Sequence, residues 1–183
     1  MSETKSLERR YVRAALHAFA KRGYFGTTMN HIADEAGVSQ PRISQVFDGK
    51  LSAYLAAHEV ALEVVVGAFD EVEATRTFDP AAVGGAFLRL LHDNPDMIMV
   101  VLHTVSSGQA EPRIADAARG ALGQLTDLLA NKFGATPQQT RDFLASGFFT
   151  MILMGSGLPD PEAADSLTRV AEVTPGVLAP GQV

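Results

Sequence analysis

Between Met29 and Lys50 the chain reads MNHIADEAGVSQPRISQVFDGK, an order of residues that few backbones satisfy. Ile32, Ala36, Val38, Ile43 and Val46 are apolar at spacings that let two short helices share a core. Ala33 is small where a second helix must cross closely. Four residues on, Gly37 stands where the first helix must end, with the positive φ that glycine tolerates. Ser39 is placed to cap the second helix, and Pro41 fits its first turn. The pattern is that of a helix-turn-helix, whose second helix fits the major groove of DNA. A helical hairpin that only fills a core is the competing reading, and it has no need of all these features together.

Charge is distributed to match. The 183 residues carry a net charge of −6, which argues against indiscriminate nucleic-acid binding. Residues 1–60 hold eight Lys/Arg and six acids, and the remainder holds seven and fifteen. A basic head on an acidic body suits a protein that meets phosphates with one end. Hydrophobic residues at 46% and charged residues at 20% fall in the globular range. Cysteine is absent, so disulfides, thiolate metal sites and a cysteine nucleophile are excluded. The opening MSETKSLERR is polar, with no apolar signal core behind it. No apolar run looks long enough to span a bilayer. A soluble, cytoplasmic protein is expected.

The rest of the chain reads as helices with marked starts. Asp79-Pro80, Asn94-Pro95, Thr136-Pro137 and Asp160-Pro161 each place a capping residue before proline, and Glu111-Pro112 is a weaker version. They predict helix starts near 80, 95, 112, 137 and 161. A first helix is predicted from about Lys5 to Arg22, ended by Gly23, with Val12, Ala15, Leu16 and Phe19 on its buried stripe. Thr27 or Thr28 caps the next. A long helix is predicted from Lys50 to about Arg76, joining head and body without a flexible linker. No alternating strand or βαβ unit appears, so the fold class is all-α. The predicted division is a helix-turn-helix domain at 1–50, a helical effector-binding and dimerisation domain at 51–174, and a disordered tail at 175–183.

The helix predicted from about Pro137 to Gly157 is apolar nearly all round, which requires burial on more than one side. One side is assigned to a subunit interface, through Phe143, Leu144, Phe148, Met151 and Ile152. Leu122, Leu125 and Leu129 on the preceding helix would complete a four-helix bundle between two chains. A core helix within a monomer is the alternative.

The run AALHAFAKRGYFGTTMNHIADEAGVSQPRISQVFDGKLSAYLAA resembles the N-terminal domain of the TetR-like (tetracycline-repressor-like) bacterial transcriptional regulators. Ala14-Ala15, Phe19, Gly23-Tyr24, Thr27-Thr28, Ile32-Ala33, Ala36-Gly37-Val38-Ser39, Phe47 and Lys50 carry the likeness. It covers about the first third of the chain. The resemblance implies a homodimer, three N-terminal helices for DNA, and a C-terminal domain that binds a small effector; DNA release on effector binding is usual among relatives, so a repressor is expected. Two stretches depart from the pattern. Many relatives carry Tyr-x-His-Phe late in the recognition helix, where this chain has Ser44-Gln45-Val46-Phe47. The usual glycine-threonine pair is Pro41-Arg42.

Candidate DNA contacts are therefore Thr28, Ser39, Gln40, Pro41, Arg42, Ser44, Gln45 and Lys50. Arg42 can fork onto guanine and a glutamine onto adenine, while Pro41 suits a thymine methyl. Thr28 and Lys50, at helix starts, suit phosphates. Dimerisation implies a near-palindromic operator. Candidate effector contacts are Phe69, Phe87, Leu91, Met97, Val101 and His103, mostly apolar, so the expected effector is small and lipophilic. No cofactor, metal or membrane partner is expected. An enzyme is disfavoured: Gly155-Ser156-Gly157 lacks a nucleophile-elbow setting, and the histidines are scattered. A helical dimer of the same fold with weak or lost DNA binding is the remaining rival.

Overall fold

A computed structural model of the protein describes residues 3–109 and 111–155. Among these described residues eight helices follow one another: α1 (Glu3–Gly26), α2 (Met29–Ala36), α3 (Gln40–Ser44), α4 (Gly49–Ala68), α5 (Pro80–Asp93), α6 (Pro95–Ser107), α7 (Pro112–Phe133) and α8 (Pro137–Gly155). The all-α expectation holds among the described residues, and the starts at 80, 95, 112 and 137 fall on the prolines. The start near 161, the end of the helix at 157 and the tail at 175–183 lie outside the described residues.

Most of the residues before these prolines work as caps. Asp79 Oδ1 accepts from the amides of Ala81 (2.9 Å) and Ala82 (3.3 Å), and Glu111 Oε1 from that of Arg113. Thr136 Oγ1 accepts from the Gln139 amide. Each satisfies backbone donors that lack a partner inside the helix. Asn94 makes no side-chain cap bond, so α6 starts on its proline alone.

Two boundaries differ from the sequence-based expectation. Helix α1 runs on past Gly23 to Gly26, but Gly23 itself is non-helical at φ 63°, ψ −179°, so the rod kinks at the glycine instead of ending there. More substantially, α4 stops at Ala68 rather than near Arg76. Asp70, Glu71 and Glu73 follow, and acids are unfavourable at the negative end of a helix dipole. Lys132 of α7 takes over that end: its Nζ donates to the Phe69 carbonyl at 2.9 Å and meets Asp70 at 3.3 Å. The chain then crosses the α7–α8 corner, where the Thr75 amide donates to the Lys132 carbonyl.

One continuous apolar core runs from head to body. α4 lies at its centre, against α1, α6 and α7. It is 20 residues long and contains an 18-residue stretch of mean hydropathy 1.4, enough by length and composition to cross a membrane, contrary to the sequence-based expectation. Here Ala53, Tyr54, Ala57, Ala61, Leu62 and Val65 are buried between neighbouring helices. Helix α1 buries Tyr11, Ala15, Leu16 and Phe19, and alanines at 14, 18 and 20 let its neighbours approach closely.

Candidate nucleic-acid interface and effector cavity

The head is assembled by local rules. Thr28 caps α2: its Oγ1 accepts from the His31 amide at 3.2 Å, while its own amide donates to His31 Nδ1 at 3.3 Å. Histidine here replaces the glutamate of the usual capping box. Thr27 is fully buried and donates to the Gly23 carbonyl at 2.7 Å, so the adjacent threonines have separate tasks. Gly37 ends α2 at φ 67°, ψ 36°, as expected, and Arg10 from α1 donates to the last carbonyl, of Ala36. Ser39 occupies the N-cap position of α3 without a side-chain cap bond, which leaves its hydroxyl outside that role. Ile43 and Phe47 are buried and pin α3 to the core.

Ser39, Gln40, Pro41, Arg42, Ser44 and Gln45 are all exposed on and beside α3, on one short helix. Their side chains are ordered by one another. Gln40 Nε2 donates to Ser44 Oγ at 3.3 Å. Arg42 is held at two points: Nε donates to the Tyr11 hydroxyl at 3.3 Å and Nη1 to Gln45 Oε1 at 3.1 Å. Lys50 is half-buried, with its ammonium 4.5 Å from the centre of the Tyr24 ring, a cation–π contact. Thr28 is exposed at the start of α2. Tyr11, Tyr24 and His31 position these groups, a role the sequence pattern does not assign them. Tyr24 and Thr28 stand inside the family-like segment, but nothing in a linear pattern pairs Tyr11 with Arg42, 31 residues away.

Within the body, an apolar pocket lies between α4, α5, α6, α7 and α8. It is narrow, with a cavity volume of about 40 Å³. Phe69, Phe87 and Val101, three of the candidate effector contacts, are among its lining residues. Leu91 is buried elsewhere, Met97 packs on the core, and His103 serves another purpose. His103 Nε2 hydrogen-bonds the Ala20 carbonyl at 3.2 Å, and its ring lies against Gly23. Helix α6 is thereby tied to the end of α1, and His17 hydrogen-bonds Asp96 at the other end of the same contact.

The pocket also takes Leu125, Leu129, Phe143, Leu144, Phe148 and Met151, which the sequence pattern assigns to a subunit interface. An apolar helix has more than one buried side, and periodicity does not say which neighbour covers which side. Leu122 is half-buried outside the pocket. Ile152 is 55% exposed and Phe149 37%, so the outward stripe of α8 lies one residue away from the inward one. Val65, Ile98, Leu128 and Gly147 complete the lining; in the sequence they are indistinguishable from plain core.

Elsewhere in the core a buried hydrogen-bond chain joins α4, α6 and α7. Tyr54 hydroxyl and Thr104 Oγ1 are 3.0 Å apart, and Thr104 Oγ1 is 3.1 Å from His58 Nδ1 and donates to Val100 O at 2.8 Å. Burial lowers the His58 pKa, opposed by its bond to the Ala117 carbonyl. Burial raises that of Tyr54 to about 12, against the bond to Thr104. Both groups are neutral near pH 7. Among the described residues no cluster of three His, Asp or Glu side chains is arranged to hold a metal.

Residues 12–56 match the tetR family of bacterial regulatory proteins. The chain is 29% identical over 133 residues to the HTH-type transcriptional activator FasR of Mycolicibacterium smegmatis, covering 70% of this chain. It spans 61% of the length of that curated relative. A tetR-family transcriptional regulator from Streptomyces coelicolor shares the fold with a TM-score of 0.66 at 18% identity, over 94% of this chain and 80% of that one. FadR from Bacillus subtilis, solved in complex with stearoyl-CoA, shares it with a TM-score of 0.62 at 16% identity, over 93% and 99%. The helix-turn-helix built from these local rules thus lies within the segment that matches the tetR family of bacterial regulatory proteins, on an all-helical frame shared with these solved regulators.

Proposed function

We propose that the protein is a site-specific transcriptional regulator that binds a near-palindromic operator as a homodimer and lets go of it when a small lipophilic effector enters the body. Residues 1–50 are the DNA-binding domain in this reading and 51–174 the effector-binding and dimerisation domain. The observation that carries it is the α3 surface: six exposed polar or proline side chains on a helix anchored by Ile43 and Phe47, with Arg42 pre-set by Tyr11 and Gln45. A guanidinium already restrained loses less freedom on reaching a base edge. The wholly apolar pocket supports a lipophilic effector, as does the stearoyl-CoA bound by the Bacillus subtilis neighbour. Differential binding on the order of 5 kcal/mol between DNA-bound and released states would complete the switch.

Activation is a second reading of the sign, favoured by the mycolicibacterial relative, which is named an activator. The test is binding-site selection with purified protein, followed by transcription from the selected site in vitro. A two-fold symmetric site that blocks transcription supports the repressor. A site that raises transcription supports the activator, and no enriched site removes DNA binding from the proposal.

A further inference from the structure

A second, wider concavity runs along the surface between α5 and α8. Its volume is about 630 Å³, against about 40 Å³ for the apolar pocket. On its α5 side the small residues Ala81, Gly84 and Gly85 stand beside Leu88, and its α8 side carries Gln139, Asp142, Ser146 and Thr150. The two spaces share Phe87, Phe143 and Gly147. Phe87 and Phe143 meet edge to face at 6.5 Å, and Phe78 holds the other edge of Phe143 at 5.8 Å. Phe143 is therefore wedged between two rings, whereas Phe87 faces Gly147, where a Cβ would lie 3.6 Å from its Cζ. Glycine at 147 removes the side chain that would otherwise fix that ring.

We propose that the α5–α8 groove is the entrance to the apolar pocket, that Phe87 swinging over Gly147 is its gate, and that the ligand is an amphiphile with a non-anionic head. This deepens the effector reading above and rests on it. The chain of the ligand suits the pocket, where no lining side chain is polar. The head remains in the groove, among the hydroxyls of Ser146 and Thr150, the Gln139 amide and the Asp142 carboxylate, with no lysine or arginine in the lining. Asp142 also accepts from Gln138 and Arg141, and Arg89 lies beside Gly85 at the rim. The body as a whole is acidic, with seven basic and fifteen acidic residues beyond position 60, so an anionic head meets repulsion on approach.

The head preference and the gate are tested separately. Stopped-flow fluorescence with dansyl-dodecylamine, whose sulfonamide head is uncharged, follows entry into the full-length protein. In Phe87→Ala, association and dissociation should both accelerate by about tenfold or more, with a smaller change in their ratio. In Gly147→Val both should slow; Gly147→Ala, which favours the helix, should slow them less and guards against misfolding of the larger substitution. A ring that is only core packing would lower the melting temperature and leave the association rate unchanged, which overturns the gate. Competition by dodecanol, dodecylamine and dodecanoate reads the head: the alcohol and amine should displace the probe at lower concentration, and a preference for dodecanoate overturns that assignment. If the wild-type protein binds no probe saturably, the effector reading fails and the gate with it. Binding with unaltered rates in every variant overturns the gate alone.

Discussion

Arg42 shows how the posture of a single side chain is set by its neighbours. Its chemistry and its place near the start of α3 are legible in the sequence; the two hydrogen bonds that aim it are not, because Tyr11 arrives from another helix. Arg42→Ala should cost about 1–3 kcal/mol of operator affinity and relax base preference at one position per half-site. Tyr11→Phe should lose part of the same preference, the effect of one hydrogen bond, about 0.5–1.5 kcal/mol. Site selection with each variant measures both, and an unchanged preference in Arg42→Ala would remove it from base reading. His58 makes a prediction in pH. Its folded pKa is lowered, so above the imidazole's ordinary value of about 6.5 both folded and unfolded states are neutral and no stability is lost. As pH falls below that value the unfolded chain takes up a proton first, and stability declines until the folded pKa is passed. His58→Gln should flatten the fall in melting temperature between pH about 7 and about 5 relative to the wild type.

At the level of elements, the starts of helices are far easier to read than their ends. Proline after a capping residue acts through covalent geometry and one local hydrogen bond, and α5 to α8 begin where those pairs stand. The end of α4 depends on Lys132, 63 residues beyond the carbonyl it holds, which no local pattern contains. Glycines divide in the same way. Gly37 and Gly134 both end helices with positive φ, 67° and 65°. A Cβ on Gly37 meets nothing within 4 Å, whereas on Gly134 it would stand 2.5 Å from the Arg76 carbonyl oxygen. Gly37→Ala should therefore cost about 1 kcal/mol, from backbone conformation alone, and Gly134→Ala about 2–4 kcal/mol. Urea denaturation of the two variants compares them, and equal losses would show that the contact with Arg76 carries no weight.

For the molecule as a whole, the outward face of α8 bears on assembly. Ile152 and Phe149 are exposed apolar residues on a helix whose other side is committed to the pocket. If the proposed homodimer forms through this face, Ile152→Asp should leave the stability of the protomer within about 1 kcal/mol of wild type while yielding a monomer in sedimentation velocity. Operator affinity should fall with it, because two heads joined at one spacing bind far more tightly than either alone. A dimer that survives the substitution would place the interface elsewhere. Helix α6 sits between pocket and head: Ile98 and Val101 face the pocket, while Asp96 and His103 hold α1. In the sequence His103 stands out as a candidate ligand contact because a polar residue within an apolar helix attracts that role; its partner, the Ala20 carbonyl, lies 83 residues back.

What the sequence by itself determined is whatever local interactions enforce: the all-helical character, the helix starts, the turn at Gly37, and the set of side chains displayed on α3. These follow from φ preferences, capping bonds and periodicity within a few residues. Tertiary structure decided which side of each apolar helix meets which neighbour. It turned Phe143, Leu144 and Phe148 toward the pocket and Ile152 outward, gave His103 to α1, ended α4 at Ala68, and set Phe87 opposite Gly147. Hydrophobic burial is non-directional, so a pattern of apolar residues records that a face is covered and leaves open what covers it.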